Sequence, residues 1–219
     1  MYRSPMTQTP RLPARRTRLT LAALAPLVLA GCLAATTPAS DRITLAEEGV
    51  TLAAPAGFCV DPKTSRKSRE GAFVIFANCA AISGDPAAPR PAQPAILSAT
   101  VGPQSPGPVG ESFAPIEDFF RSEAGRAALA RSGEANDVKI LKTQVSDGLL
   151  LIKLRDGSVA EGAPVEPVYW RAITGLGGRI TALSVLPLQG TQMQDASQIE
   201  ILRAFAARSQ QLSAPGAGS

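Results

Sequence analysis

Four strand-like segments in the second half of the chain restrict its possible folds more than any other feature. Two apolar segments flank Asp147-Gly148, and two more flank a glycine-rich turn at 175–178. An Asp-Gly pair between such segments is a strong signal for a hairpin loop, and a hairpin joins antiparallel neighbours. The predicted strands are Val138–Val145, Leu149–Arg155, Val168–Thr174 and Arg179–Leu186. This half of the chain therefore predicts antiparallel sheet.

The first half of the chain adds three more strands. Val50–Ala54, Ala72–Ile82 and Ala95–Val101 are rich in apolar residues of the kind that strands favour. The polar stretch Asp61–Gly71 and the proline-rich stretch Gly84–Pro94 separate them, and both predict loops.

Two helices complete the pattern. Pro115 suits the first position of a helix that runs to about Ser132, and a second helix begins near Asp195. The apolar face of the first helix, which we expect to pack on a sheet, comprises Ile116, Phe119, Phe120, Ala124, Ala127 and Ala128. The order of three strands, helix, four strands, helix predicts an α+β fold. We expect an antiparallel sheet of about seven strands with helices packed on its faces.

This order of elements, with Pro55-Ala56-Gly57-Phe58 near its start, resembles the fold shared by the photosystem extrinsic protein PsbP and the nuclear transport factor Mog1. The resemblance covers Val50 to Leu212 in topology. It implies a PsbP/Mog1-like sandwich with a binding or assembly role, since members of that fold mostly act as binding or assembly factors. No functional residue is carried over, because no site motif of the family has a counterpart here.

Residues 1–32 carry a separate signal. Five arginines and no acidic residue precede the apolar stretch Leu19–Gly31, which is the secretory pattern. The stretch ends in Leu29-Ala30-Gly31-Cys32, and this order resembles the signal peptide of bacterial lipoproteins. The resemblance implies that Cys32 is acylated, with palmitate among the attached chains, and that the protein is lipid-anchored and periplasm-facing. An uncleaved transmembrane anchor is the alternative, because the apolar stretch can be extended to Ala35.

The signal divides the chain into four parts. These are a signal peptide at 1–31, the lipidated cysteine with a tether at 32–42, a single α+β domain at 43–212 and a disordered tail at 213–219. Leu33, where an aspartate would favour the inner membrane, favours the outer membrane of the cell envelope by the sorting behaviour of such lipoproteins.

The charge of the mature protein differs from that of the whole chain. The chain has 22 basic and 18 acidic residues, and removal of the five arginines in 1–31 leaves 17 basic against 18 acidic. A net charge of −1 and the lack of a basic stripe predict no nucleic-acid partner. The expected partners are the membrane, through the lipid anchor, and an envelope protein or anionic polymer.

The remaining cysteines, Cys59 and Cys79, form an even pair in an exported domain. Such a pair predicts a structural disulfide. A redox pair and a metal pair are the alternatives, although active dithiols are usually arranged as Cys-x-x-Cys, a spacing absent here.

The sequence contains no histidine, which excludes Ser-His-Asp and Cys-His catalysis, zinc sites with histidine ligands and histidine pH switches. A Ser-Lys arrangement, a carboxylate pair or a calcium site with oxygen ligands would still be open. Thr64-Ser65-Arg66-Lys67 has threonine at the first position of a Ser-x-x-Lys-like tetrad and lacks the accompanying signatures. We therefore expect no cofactor, no metal and no catalytic residue, and keep an envelope hydrolase as the alternative to a binding protein.

Two surface features are candidate binding sites. Lys63, Arg66, Lys67 and Arg69 place four cations within seven residues of a predicted loop. They predict either a solvated loop or contact with anionic headgroups or an acidic partner. Along the strand at 168–174, alternation places Trp170 on one face and Tyr169 with Arg171 on the other, so that at least one aromatic ring is expected in the core.

Overall fold

An antiparallel sheet of eight strands carries the fold in the structure, a computed structural model that describes residues 39–68, 71–110, 112–160 and 162–213. The strands are β1 (Arg42–Leu45), β2 (Val50–Ala53), β3 (Phe58–Val60), β4 (Arg66–Ser68), β5 (Gly71–Asn78), β6 (Ala95–Gln104), β7 (Val138–Ser146), β8 (Leu149–Asp156), β9 (Val168–Leu176) and β10 (Arg179–Pro187). The helices are α1 (Cys79–Ser83), α2 (Ala114–Arg121), α3 (Glu123–Leu129) and α4 (Asp195–Ser213).

The order of strands in the main sheet is β3-β5-β6-β10-β9-β8-β7, and β4 pairs with β5 beside β3. Strands β1 and β2 form a separate two-stranded sheet. The predicted α+β class, with an antiparallel sheet and helices on its faces, is confirmed. Asp147 and Gly148 join β7 to β8 with φ of 54° and 70°, a left-handed conformation that suits this hairpin turn.

Helix α4 and the β1-β2 pair pack on one face of the main sheet. The ring of Phe205 meets that of Phe76 edge-on, with 5.2 Å between centroids. Farther along α4, the hydroxyl of Ser209 accepts a hydrogen bond from the backbone N–H of Ala53 at 3.0 Å. Helix α4 therefore contacts both the main sheet and the two-stranded sheet and links them.

Helices α2 and α3 pack on the opposite face, over β7, β8 and β9. The buried apolar residues on this side are Phe113, Phe120, Leu129, Val138, Leu150, Ile152, Leu154, Val165, Tyr169, Ile173 and Leu186. Strand β8 is consequently buried on both faces. Buried and accessible side chains alternate along β5, because neither helix reaches over it.

The single helix predicted from Pro115 to Ser132 is wrong, since the structure has two short helices there. Ser122 is extended, with ψ of 166°, and its hydroxyl accepts a hydrogen bond from the N–H of Gly125 at 3.1 Å, which caps α3. A β-carbon at Gly125 would lie 1.9 Å from the carbonyl oxygen of Phe119, so this corner requires glycine. The exposed members of the predicted apolar face are Phe119, Ala124 and Ala128.

Two further sequence expectations need correction. The strand predicted at Ala72–Ile82 ends at Asn78, whose side-chain oxygen accepts a hydrogen bond from the N–H of Ala80 at 2.9 Å and starts α1. The loop predicted at Asp61–Gly71 contains β4, which extends the edge of the sheet past the loop at 61–65.

The first described residues are bonded to the domain. The carbonyl oxygens of Ser40 and Asp41, which the sequence places in the tether, accept hydrogen bonds from the N–H groups of Val60 and Ala54, both at 2.8 Å. The predicted signal peptide, Cys32 and the residues of the tail beyond 213 lie outside the described residues. Within the described part of the chain, no helix is both long and apolar enough to cross a bilayer.

A disulfide joins Cys59, at the centre of β3, to Cys79, the first residue of α1. The two Cα atoms are 4.8 Å apart and 20 residues separate them in sequence. The predicted pairing is confirmed. The disulfide adds a covalent link between the edge strand β3 and the end of β5, with which β3 is already paired.

Replacing both cysteines with serine should destabilise the domain. Loss of the cross-link over this loop should cost about 3 kcal/mol, which corresponds to a fall in melting temperature of roughly 6–12 °C for a domain of this size. Thermal unfolding with and without a reducing agent measures the effect. The reductant should lower the melting temperature of the wild type alone, and an equal response from the double variant would contradict the assignment.

Candidate functional site: a groove with two arginines

The uncovered part of the second sheet face forms a groove of about 420 Å³. We call it the arginine groove. Its lining residues are Asp61, Thr64, Phe73, Ile75, Ala77, Ile96, Ser98, Arg131, Pro164, Val165, Tyr169, Arg171 and Leu186. Most of the floor is apolar, and the guanidinium groups stand at the end nearest α3.

The strand register builds the floor. Arg171 on β9 lies opposite Ser184 on β10, which lies opposite Ser98 on β6, which lies opposite Ile75 on β5. Residues directly opposite each other in antiparallel strands share a face, so these four side chains form one row across the sheet. The row runs from a charged end, through two hydroxyls, to an apolar end.

Neutral acceptors hold Arg171 in place. Its Nε donates to the hydroxyl of Ser184 at 2.9 Å, and its terminal nitrogens donate to the carbonyl oxygen of Leu129 and to the hydroxyl of Tyr169, both at 3.3 Å. No carboxylate of a described residue lies within 4 Å of this guanidinium. Arg171 is therefore a positioned, partly buried cation whose charge has no close counter-ion.

Arg131 brings a second cation to the same ring. The guanidinium carbons of Arg131 and Arg171 lie 6.0 and 5.7 Å from the centroid of Tyr169, which is fully buried. Among the described residues, the carboxylate that lies within 4 Å of the Arg131 guanidinium is the buried Asp156, at 3.9 Å. Asp156 also accepts hydrogen bonds from the backbone of Arg131 and from Ser158, so it mainly fixes the chain that follows α3.

Ser98 lies in the middle of the floor. It is only 7% exposed and lines the groove, yet its hydroxyl has no hydrogen-bond partner among the described residues. The hydroxyl opens into the groove, so an occupant that excluded water from it without bonding to it would leave a polar group unsatisfied, at a cost in free energy.

Sequence reasoning found part of this site. Tyr169 and Arg171 share the groove face and Trp170 lies on the other, as the alternation predicts, and both aromatic rings are buried. Arg131 and Ser98 were missed as site residues. In the sequence, Arg131 falls near the end of the predicted helix, and Ser98 is one position in a predicted apolar strand.

Among the four predicted cations, the structure describes the side chains of Lys63 and Arg66, and these lie in different elements. Lys63 lies in the loop before β4, whereas Arg66 lies within β4, opposite Phe73. The exposed Arg66 therefore shares the face of the groove, at the edge of the sheet. The side chain of Lys67 and the whole of Arg69 lie outside the described part of the structure.

Two larger cavities lie elsewhere, at the end of the domain where the described chain begins. One, of about 900 Å³, contains the disulfide and Arg208, and the other, of about 550 Å³, contains Lys63. Ala39 and Ser40 line both. We take the smaller arginine groove as the candidate site because it alone, of the three, combines an apolar floor with two convergent cations and an unbonded hydroxyl.

Catalytic groups do not converge in the groove. Among the described residues, no lysine amino group is hydrogen-bonded to a serine hydroxyl. The carboxylate that lines the groove belongs to Asp61. No cluster of metal-ligating side chains occurs among the described residues. The arrangement can bind an anion that carries an apolar group.

Comparisons with known proteins give little beyond the fold. No family profile and no curated protein matches the chain. Among solved structures, the chain is similar to the solution structure of cyanobacterial PsbP (CyanoP) from Synechocystis sp. PCC 6803, at 12% identity with a TM-score of 0.38. The match covers 83% of this chain and 96% of that chain. The similarity is weak and concerns the fold alone. The matched protein is a PsbP, one of the two proteins whose fold the sequence resembles.

The two arginines should differ in their effect on stability. Arg171→Gln should lower the free energy of unfolding by about 1–3 kcal/mol, because the carbonyl of Leu129 loses its donor. Arg131→Gln should lower it by less than about 1 kcal/mol, because that side chain is 39% exposed and its ion pair is long. Urea unfolding of both variants measures the difference. Equal losses would mean that Arg131, too, is a structural residue.

Proposed function

We propose that the protein is a lipid-anchored, periplasm-facing lipoprotein that binds a partner in the cell envelope through the arginine groove and carries out no chemistry on it. The observation that carries the proposal is the partly buried Arg171, held by neutral acceptors beside an open apolar floor. Such a cation is costly to bury without a counter-ion, and a bound anion would supply one. A solvated surface needs no such arrangement.

The predicted tether is short. Ala39 is the seventh residue after Cys32, so an extended tether would reach at most about 25 Å. A domain tethered so closely would present the end that bears Ala39, Ser40 and Lys63 to the membrane. In this arrangement Lys63 and Arg42 would face anionic headgroups, where each cation contributes about 1 kcal/mol. The outer membrane remains the favoured location.

The loop at 61–65 lies between the arginine groove and the proposed membrane-facing end of the domain. Asp61 lines both the arginine groove and the cavity that contains Lys63. A partner in the groove would therefore lie close to the membrane-facing end. The proposal keeps the predicted basic residues, Lys63, Arg66, Lys67 and Arg69, as contacts with anionic lipid or polymer. Of these, Arg66 also lies on the face of the groove, at its edge.

Replacing Cys32 with alanine should release the protein from the membrane without unfolding its domain, because the predicted lipid is the only anchor in this proposal. Fractionation of cells, followed by a high-salt wash of the membranes, measures this. Mass spectrometry of the wild type should find acyl chains on Cys32. Retention of the variant in the washed membranes would contradict lipid anchoring at this residue.

A groove variant should lose its partner while remaining anchored. Arg131→Gln combined with Phe73→Ser removes one cation and one exposed ring, and both side chains are accessible enough for the fold to tolerate the change. Affinity purification from solubilised envelope, with cross-linking, compares it with the wild type. The matched control, Lys63→Gln, removes an exposed cation that does not line the groove and should leave groove-dependent capture intact. Equal capture by all three proteins would contradict binding in the groove.

The alternative, an envelope hydrolase with a Ser-Lys or carboxylate pair, has no supporting observation in the described part of the chain. Such an enzyme requires two ionisable groups within hydrogen-bond reach of a bound substrate. In the groove, two permanently charged guanidiniums approach the ring of Tyr169, which favours binding over proton transfer.

A further inference from the structure

We propose that the arginine groove binds the C-terminal end of a partner polypeptide. The terminal carboxylate would lie against Arg131 and Arg171, and the last apolar side chains would cover the floor. This inference rests on the proposed function and goes further, because it states which chemistry of the partner is recognised.

The positive charge and the unused N–H groups of the groove favour an anionic ligand. Arg171 has five N–H groups and uses three of them, one on Nε and one on each terminal nitrogen, so each terminal nitrogen keeps one N–H for a ligand. The lining carboxylate, Asp61, already accepts hydrogen bonds from the backbone of Lys63 and the hydroxyl of Thr64, both at 2.9 Å. A carboxylate is the natural partner of the remaining guanidinium donors.

Arg131 is free to contribute to the same anion. Its contact with Asp156 is long, at 3.9 Å, and its side chain is 39% exposed at the rim. A carboxylate between the two guanidiniums would then be recognised from two directions, beside the ring of Tyr169 that both cations approach.

The hydroxyl of Ser98 favours a peptide over a fatty acyl chain. An acyl chain would cover this unbonded hydroxyl without offering it a partner, which costs free energy. A peptide carries a carbonyl and an N–H on each residue and can bond to it. The floor thus combines an apolar surface with one internal polar group at a position where a peptide backbone can use it.

The length of the row sets the number of residues recognised. Arg171 and Ile75 are separated by three strand-to-strand spacings, which is about 14 Å. An extended chain covers that distance with about four residues. Phe73 and Arg66 lie just beyond on the same face, so an apolar or acidic residue farther from the C-terminus would contact them.

The test compares two forms of one peptide on the full-length protein in nanodiscs of phosphatidylcholine. The probe is a fluorescein-labelled hexapeptide of sequence glycine-serine-alanine-leucine-valine-leucine, prepared with a free carboxyl end and with an amidated end. Fluorescence anisotropy should show the acid binding at least about tenfold more tightly than the amide, because only the acid makes charge-assisted hydrogen bonds. Dodecanoate, as competitor, should displace it poorly.

Three substitutions assign the effect to residues. Arg131→Gln should reduce the affinity for the acid to about that for the amide, and Ser98→Ala should weaken acid and amide alike. Lys139→Gln is the matched control, since it removes an exposed cation on β7, at the far edge of the sheet, and should change neither affinity.

Several results would overturn the inference. Equal binding of acid and amide would exclude recognition of the carboxylate, and equal effects of Arg131→Gln and Lys139→Gln would exclude this site. Dodecanoate binding more tightly than the peptide, with no effect of Ser98→Ala, would assign the groove to an acyl carboxylate. In each case the envelope capture experiment still decides separately whether the groove binds a partner.

Discussion

Burial of both faces of β8 and β9 is the constraint on which the rest of the structure depends. Leu149 to Ile152 form an unbroken run of buried residues, so neither face of β8 can be left in water. Helix α4 covers one face, and α2 with α3 covers the other. The two short helices end before they reach β5 and β6, and the arginine groove exists where that cover stops.

Much of the fold could be predicted because local signals and tertiary packing agree. The Asp147-Gly148 hairpin and the start of α4 near Asp195 lie where the sequence indicates, since turn chemistry and apolar periodicity act over a few residues. The break at Ser122 could not be predicted with the same ease. Helix periodicity continues through it, and the decisive fact is the close approach of Gly125 to the carbonyl of Phe119, which only the folded chain creates.

The candidate site shows the same division between local and non-local information. Alternation along β9 is local, so Tyr169 and Arg171 could be assigned to one face in advance. The row that joins Arg171 to Ser98 and Ile75 depends on the register of four strands from both halves of the chain. Arg131 enters the site only because α3 ends above Tyr169. No spacing in the sequence indicates that these residues come together in the fold. The lack of histidine argues against histidine-dependent catalysis but does not indicate which ligand is bound.

The bonding of the first described residues has a mechanical consequence. Under the proposed lipid anchoring and partner binding, tension between the membrane and the partner would enter the domain through Ser40 and Asp41. Asp41 is paired with Arg208 of α4 at 2.6 Å, and the strand that follows it is hydrogen-bonded lengthwise to β2. Force would thus be shared between a long helix and a pair of strands loaded in shear, in which several bonds resist together. The arginine groove lies on the opposite face of the main sheet from the helix and the strand pair that would carry this force.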